Sequence, residues 1–117
     1  MLRIEIEATE AAIREGLLCP TQFRQWLCPQ RFSDGLPERL QAGLVFTSWL
    51  GPVTTRHEVQ RVDAHSLHLL LSGAIDGVHH WHWGDGWVQS SIEGVSLMPI
   101  GVSHTVGLLR FKQFLSR

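Results

Sequence analysis

The sequence has no tyrosine, only two cysteines and almost no surplus of either charge. Cys19 and Cys28 are too few for a disulfide framework. The gap between them fits neither a CxxC redox pair nor paired zinc ligands, so both read as reduced thiols. Ten Lys and Arg against eleven Asp and Glu leave a formal charge of -1. A phosphate backbone would find no basic excess there, and no nucleic acid partner is expected. Long apolar runs are missing too: nothing approaches the ~20 residues that cross a bilayer, so no stable membrane insertion is expected. The opening MLRIEIEATE carries three glutamates where a signal peptide would be basic and then apolar, which points to a cytoplasmic location. No nucleophile motif, glycine-rich phosphate loop or helical HExxH occurs. Covalent and nucleotide chemistry are therefore disfavoured, and no cofactor is called for.

What is present is ordinary globular material. With 117 residues, 44% of them hydrophobic and 18% charged, the chain suits a single domain over 1–117. Its aromatic content is five Trp and five Phe, and Trp81, Trp83 and Trp87 fall within seven positions. Rings of that bulk line either a core or a pocket.

Residues 2–7 alternate apolar with charged, the period of a half-buried strand. Thr9 is placed to cap a helix over 10–18, and Pro20 restarts a second helix through 27, with Phe23, Trp26 and Leu27 on its apolar side and Pro29 ending it. Residues 30–39 read as a loop, with a short strand over 38–41. From Gly43 onward, β-branched and apolar runs are punctuated every eight to twelve positions, which predicts an antiparallel meander over 44–50, 53–62, 66–72, 77–83 and 87–97. After Pro99 and Gly101 the spacing turns helical. Ser103 is the expected cap; Val102, Val106 and Leu109 make one stripe, and Leu108, Phe111 and Leu115 widen it. This order predicts an α+β helix-grip fold: a curved antiparallel sheet of six or seven strands around a C-terminal amphipathic helix, with two short helices after the first strand.

The stretch VHHWHWGDGWVQSSI tests its own register. With Asp85-Gly86 as a two-residue type I′ turn, Gly84 pairs with Trp87, Trp83 with Val88, Trp81 with Ser90 and His79 with Ile92. His79, Trp81, Trp83, Val88, Ser90 and Ile92 then share one face, and His80, His82, Gln89, Ser91 and Glu93 the other. A three-residue loop would mix apolar with polar. The register puts His80-x-His82, the most metal-like motif in the chain, on the polar side without a convergent third ligand, and no metal site is expected. On 53–61 the less charged set Val53, Thr55, His57 and Val59 faces inward, which sets His57 about two strands, or ~10 Å, from His79. Such imidazoles either orient a ligand or act as acid and base; the plainer alternative is a core histidine bonded to a backbone carbonyl or to Ser90. Gly107 stands mid-helix where Ala would be about 1 kcal/mol better, marking close packing, the commoner cause, or space for a ligand.

The chain resembles the START-like, or SRPBCC, superfamily. The resemblance rests on IEIEATEAAIREGL for the opening strand and helix, PTQFRQWL for the second helix, LQAGLVFTSWLGPVTTRHEVQRVD for paired strands with a G-x-x-F pattern, and VSHTVGLLRFKQFL for the closing helix. The hairpin IDGVHHWHWGDGWVQSSIEGVSLMPI is similar to that of small members of cyanobacterial type. It implies a cavity between the sheet and the last helix for a hydrophobic small molecule such as a lipid, quinone, isoprenoid or polyketide. It carries over no catalytic residue, because members of the group bind, transport or cyclise with different side chains on one scaffold. The chain is short for the group, which argues against carriage of a long-chain lipid.

The expected lining is Phe46, His57, Leu69, Leu71, His79, Trp81, Trp83, Ser90, Ile92, Val106 and Leu109, with the two histidines and Ser90 choosing the ligand's orientation. The leading expectation is binding without catalysis. Its rivals are a cyclase or dehydratase-type acid-base enzyme using His57 or His79, and a protein-interaction module without ligand.

Overall fold

Thr9 opens the first helix as its position requires: its side chain accepts a hydrogen bond from the Ala12 amide at 3.2 Å. A second acceptor comes from far along the chain, where Asp85 Oδ1 takes the Glu10 amide at 2.7 Å. The computed structural model describes residues 2–27, 30–96 and 100–116, with side chains for all of these except 96 and 100–103. Cys28, Pro29, Leu97, Pro99 and Arg117, and the side chains of Val102 and Ser103, lie outside what it describes.

The element order is β1 (Leu2–Glu5), α1 (Glu10–Leu18), α2 (Pro20–Trp26), β2 (Arg31–Phe32), β3 (Val45–Leu50), β4 (Val53–Val62), β5 (Ser66–Gly73), β6 (Ile75–Gly84), β7 (Trp87–Ser96) and α3 (Ile100–Leu115). The protein is α+β. Seven strands form one antiparallel sheet in the order β1-β7-β6-β5-β4-β3-β2, and the last helix is C-terminal. β3 to β7 follow one another as a meander. β1 and β2, consecutive in sequence, stand at opposite edges, so the α1–α2 segment must carry the chain across the sheet.

The hairpin register is the expected one, with Gly84 opposite Trp87, Trp81 opposite Ser90 and His79 opposite Ile92. The turn itself differs. Type I′ needs positive φ at both central residues, and only Gly86 has it, at 80°. Tertiary contacts decide this: Asp85 is committed to the start of α1, while Gly86 exchanges backbone hydrogen bonds with Ile6 and Ala8.

Several boundaries also move. No strand forms over 38–41; the Leu40 amide instead bonds the Leu18 carbonyl at the end of α1, and Leu40 is buried as a plug. The added strand is β2, inside the expected loop, paired through Arg31 with Trp49 and Phe32 with Ser48. Arg24 on α2 holds it by donating to the Ser33 carbonyl at 2.8 Å. α3 begins at Ile100, which puts Ser103 within the helix and not at its cap.

One hydrophobic core runs through the sheet face, α1, α2 and α3. Phe111 of α3 is its hub, fully buried, with its ring 4.7 Å from Trp26 and 6.3 Å from Trp81. Trp81 and Trp83 are both buried against this core. The helix therefore turns its Leu108–Phe111–Leu115 side inward. Val106 and Leu109 look outward, 45% and 53% exposed, which corrects the expectation that they would line a cavity. None of the residues from 100 to 109 carries a full charge, so the helix has no polar stripe there to show which side is wet.

Candidate functional site

A cavity of about 200 Å³ lies on the core side of the sheet. Of the expected lining, Phe46, His57, Leu69, Leu71, His79, Trp81 and Ile92 meet in it. Trp83 packs in the core without reaching it, Ser90 lies just behind it, and Val106 and Leu109 are on the far side of α3. Sequence reasoning missed the contribution of the crossing segment, Phe23, Trp26, Phe32 and Leu40, and that of Gln30, Ser48 and His104. Phe23 and Trp26 were legible as an apolar helix side; that this side roofs the sheet was not. His104 sits one helical turn before Leu108, on the buried side, and the stripe drawn through Val106 passes it by.

Gly107 also lines the cavity, and a Cβ placed on it would meet nothing within 4 Å. Of the two readings of this glycine, space fits and close packing does not. Gly16 is the close-packed one: a Cβ there would come within 2.6 Å of the Phe111 ring. Leu50 lines the cavity and is itself exposed, so the cavity reaches the surface there.

Two polar chains are set into this apolar wall. In the first, Gln30 Nε2 donates to Ser48 Oγ at 2.8 Å, and Ser48 Oγ lies 2.8 Å from His57 Nε2. The His57 ring stacks on Phe46, centroids 4.7 Å apart and planes within 6°, and its Nδ1 is sealed from solvent without a partner among the described residues. In the second, Ser90 Oγ lies 2.7 Å from both His79 Nε2 and His104 Nε2. Ser90 was expected as a partner of a core histidine; it serves two.

Electrostatically the site is neutral. Among the described residues, no Lys, Arg, Asp or Glu lines the cavity. Burial pushes the His57 imidazole down to about 4. It also holds His79 well below the usual imidazole value, with smaller contributions from His104, His57 and His80, and lowers His104. A charged imidazole in an apolar wall would lose its hydration with no carboxylate to replace it, so the neutral form prevails.

On the other face, His80 and His82 meet a third imidazole that sequence spacing did not bring to them. His68 stacks on His80 at 4.1 Å and stands edge-on to His82 at 5.5 Å. Stacked rings aim their lone pairs side by side instead of at one point, and among the described residues no three His, Cys, Asp or Glu are arranged to hold a metal ion. No helix among the described residues is long and apolar enough to cross a membrane.

No protein-family model matches the chain, and no curated protein matches it.

Proposed function

We propose that the protein binds a small, uncharged, largely apolar molecule in the cavity, with the sheet and C-terminal helix acting as the helix-grip scaffold of a START-like domain. The observation that carries this reading is the wall: aromatic and aliphatic side chains around about 200 Å³, interrupted only by neutral hydrogen-bonding groups. Apolar contact supplies the affinity, at ~25 cal/mol for each Å² removed from water. His57, His79 and His104 select by orienting one polar group of the ligand. Drug-sized pockets begin near roughly 300 Å³, so the occupant is a ring or short isoprenoid, quinone or polyketide fragment and not a long-chain lipid. A charged ligand would be stranded opposite imidazoles that resist protonation.

Trp26 and Trp81 line the cavity, which makes intrinsic fluorescence the direct test. Titration with a small quinone and a short isoprenoid alcohol is expected to change Trp emission saturably and to raise the melting temperature, while a long-chain fatty acid does neither. Gly107→Leu, which fills the space with little steric cost to the helix, is expected to abolish both effects without lowering stability. An unchanged melting temperature with every small apolar probe would remove this reading.

A further inference from the structure

The link between His79 and His104 has a chemistry of its own. Ser90 is completely buried, and its single hydroxyl sits between two imidazole Nε2 atoms, each at 2.7 Å. A hydroxyl gives one hydrogen and accepts through its lone pairs. With no further side-chain partner for Ser90 among the described residues, one arrangement satisfies all three groups. One imidazole donates its Nε2–H to Ser90 Oγ, and Ser90 donates its O–H to Nε2 of the other. A neutral imidazole carries a single N–H, so the two rings are opposite tautomers: the donor has a bare Nδ1, and the acceptor has an Nδ1–H. Both residues line the cavity, with ring centroids 5.8 Å apart and planes at 87°. Ser90 engages the Nε2 of each ring, which leaves the Nδ1 atoms as the ring nitrogens not bound to it. A ligand in the cavity that reaches both Nδ1 atoms would meet one base and one acid of the same kind, joined behind the wall by a hydroxyl.

We propose that His79, Ser90 and His104 form a neutral proton relay that catalyses keto-enol tautomerisation of a small carbonyl compound held in the cavity, an inference that rests on the binding reading above. The bare Nδ1 takes a proton from the carbon beside the carbonyl. The C–H electron pair becomes the C=C bond, the carbonyl π pair moves onto oxygen, and that oxygen takes the proton from Nδ1–H of the second ring. The first ring, now protonated on both nitrogens, releases Nε2–H to Ser90 Oγ as Ser90 passes its own hydrogen to Nε2 of the second ring. Carbon has lost one proton and oxygen has gained one. Every protein group ends neutral, and the two imidazoles have exchanged tautomers. Ketonisation of the enol runs the same shift backward and resets the relay. No carboxylate, metal or external base takes part, in keeping with a wall where a lasting charge would be poorly solvated. His79 and His104 are the catalytic residues of this scheme, and Ser90 is a positioning residue that acts through them.

The experiment is solvent-deuterium exchange at the α-carbon of cyclohexanone and of phenylacetone, followed by proton NMR with the full chain at neutral pH. The protein is expected to accelerate exchange at least about 100-fold over the same concentration of free imidazole. Ser90→Ala is expected to lose most of that gain while the ketone still changes Trp emission. A second readout needs no turnover: nitrogen-15 NMR of the imidazoles, assigned with His79→Gln and His104→Gln, is expected to find one ring protonated on Nδ1 and the other on Nε2. The same tautomer on both rings, or exchange undiminished in Ser90→Ala, overturns the relay. Ketone binding without accelerated exchange also overturns it and leaves the binding reading standing. Binding of the quinone or isoprenoid probe but of neither ketone has the same meaning, and binding of no probe at all overturns both.

Discussion

His57 shows how a single residue ties the cavity to the stability of the fold. In the unfolded chain its imidazole titrates at the ordinary 6.5, and in the folded protein at about 4. Between those values the unfolded state holds a proton that the folded state refuses, so stability rises with pH across that window and is lost as acid is added. Each such histidine contributes a slope of at most about 1.4 kcal/mol per pH unit, and His79, shifted in the same direction, steepens it. Urea unfolding midpoints are expected to fall between pH 6.5 and 4.5, and less steeply in His57→Phe. An equal slope in that variant would place the pH dependence elsewhere. Two glycines offer the matching test of space. Gly107→Ala is expected to stabilise the protein by about 1 kcal/mol, the helix-propensity difference, because nothing lies where the methyl goes. Gly16→Ala is expected to destabilise it by about 1 to 3 kcal/mol, the cost of overpacking, because the Phe111 ring occupies that position. Paired denaturation curves would check both.

Among the elements, α3 packs on the core through Phe111, with Leu108 buried beside it. Phe111 is completely buried and touches Trp26 from α2, Trp81 from β6 and the space over Gly16 of α1. Phe111→Ala is expected to cost about 3 to 5 kcal/mol, and because Trp26 and Trp81 border both Phe111 and the cavity, to blunt the emission change with ligand. A loss below about 1 kcal/mol would mean that the helix is anchored by other contacts. Much at this scale was legible beforehand. The bounds of α1 and β4, the Thr9 cap and the β6–β7 register all follow from local rules of capping and alternation. The misreadings fall where local rules are silent. A pair as short as Arg31–Phe32 has no period to read, and its pairing depends on Trp49 and Ser48 far along the chain. The wet side of α3 could not be read from a first half without charge, and was set by which side found Trp26 and Trp81.

For the molecule as a whole, a single core that joins the sheet to all three helices implies that its parts unfold together. Far-UV circular dichroism and Trp fluorescence are expected to report one coincident two-state transition in urea. A separate early loss of Trp signal would mean that α2 and α3 leave the sheet first. Alternation and turn chemistry, being local, let the sequence by itself determine an α+β chain with a meander, a closing helix and inward indoles. They also set His57 and His79 on the inner face, which the cavity then brings together. Only the tertiary structure decided what stands opposite that face. The crossing helices lay Phe23 and Trp26 over it, and the rotation of α3 brings His104 to Ser90 while turning Val106 and Leu109 to solvent. The reason is that a side chain's face within its own strand or helix is fixed by backbone geometry, whereas its partner across a cavity is fixed by how separate elements pack, and no local spacing encodes that.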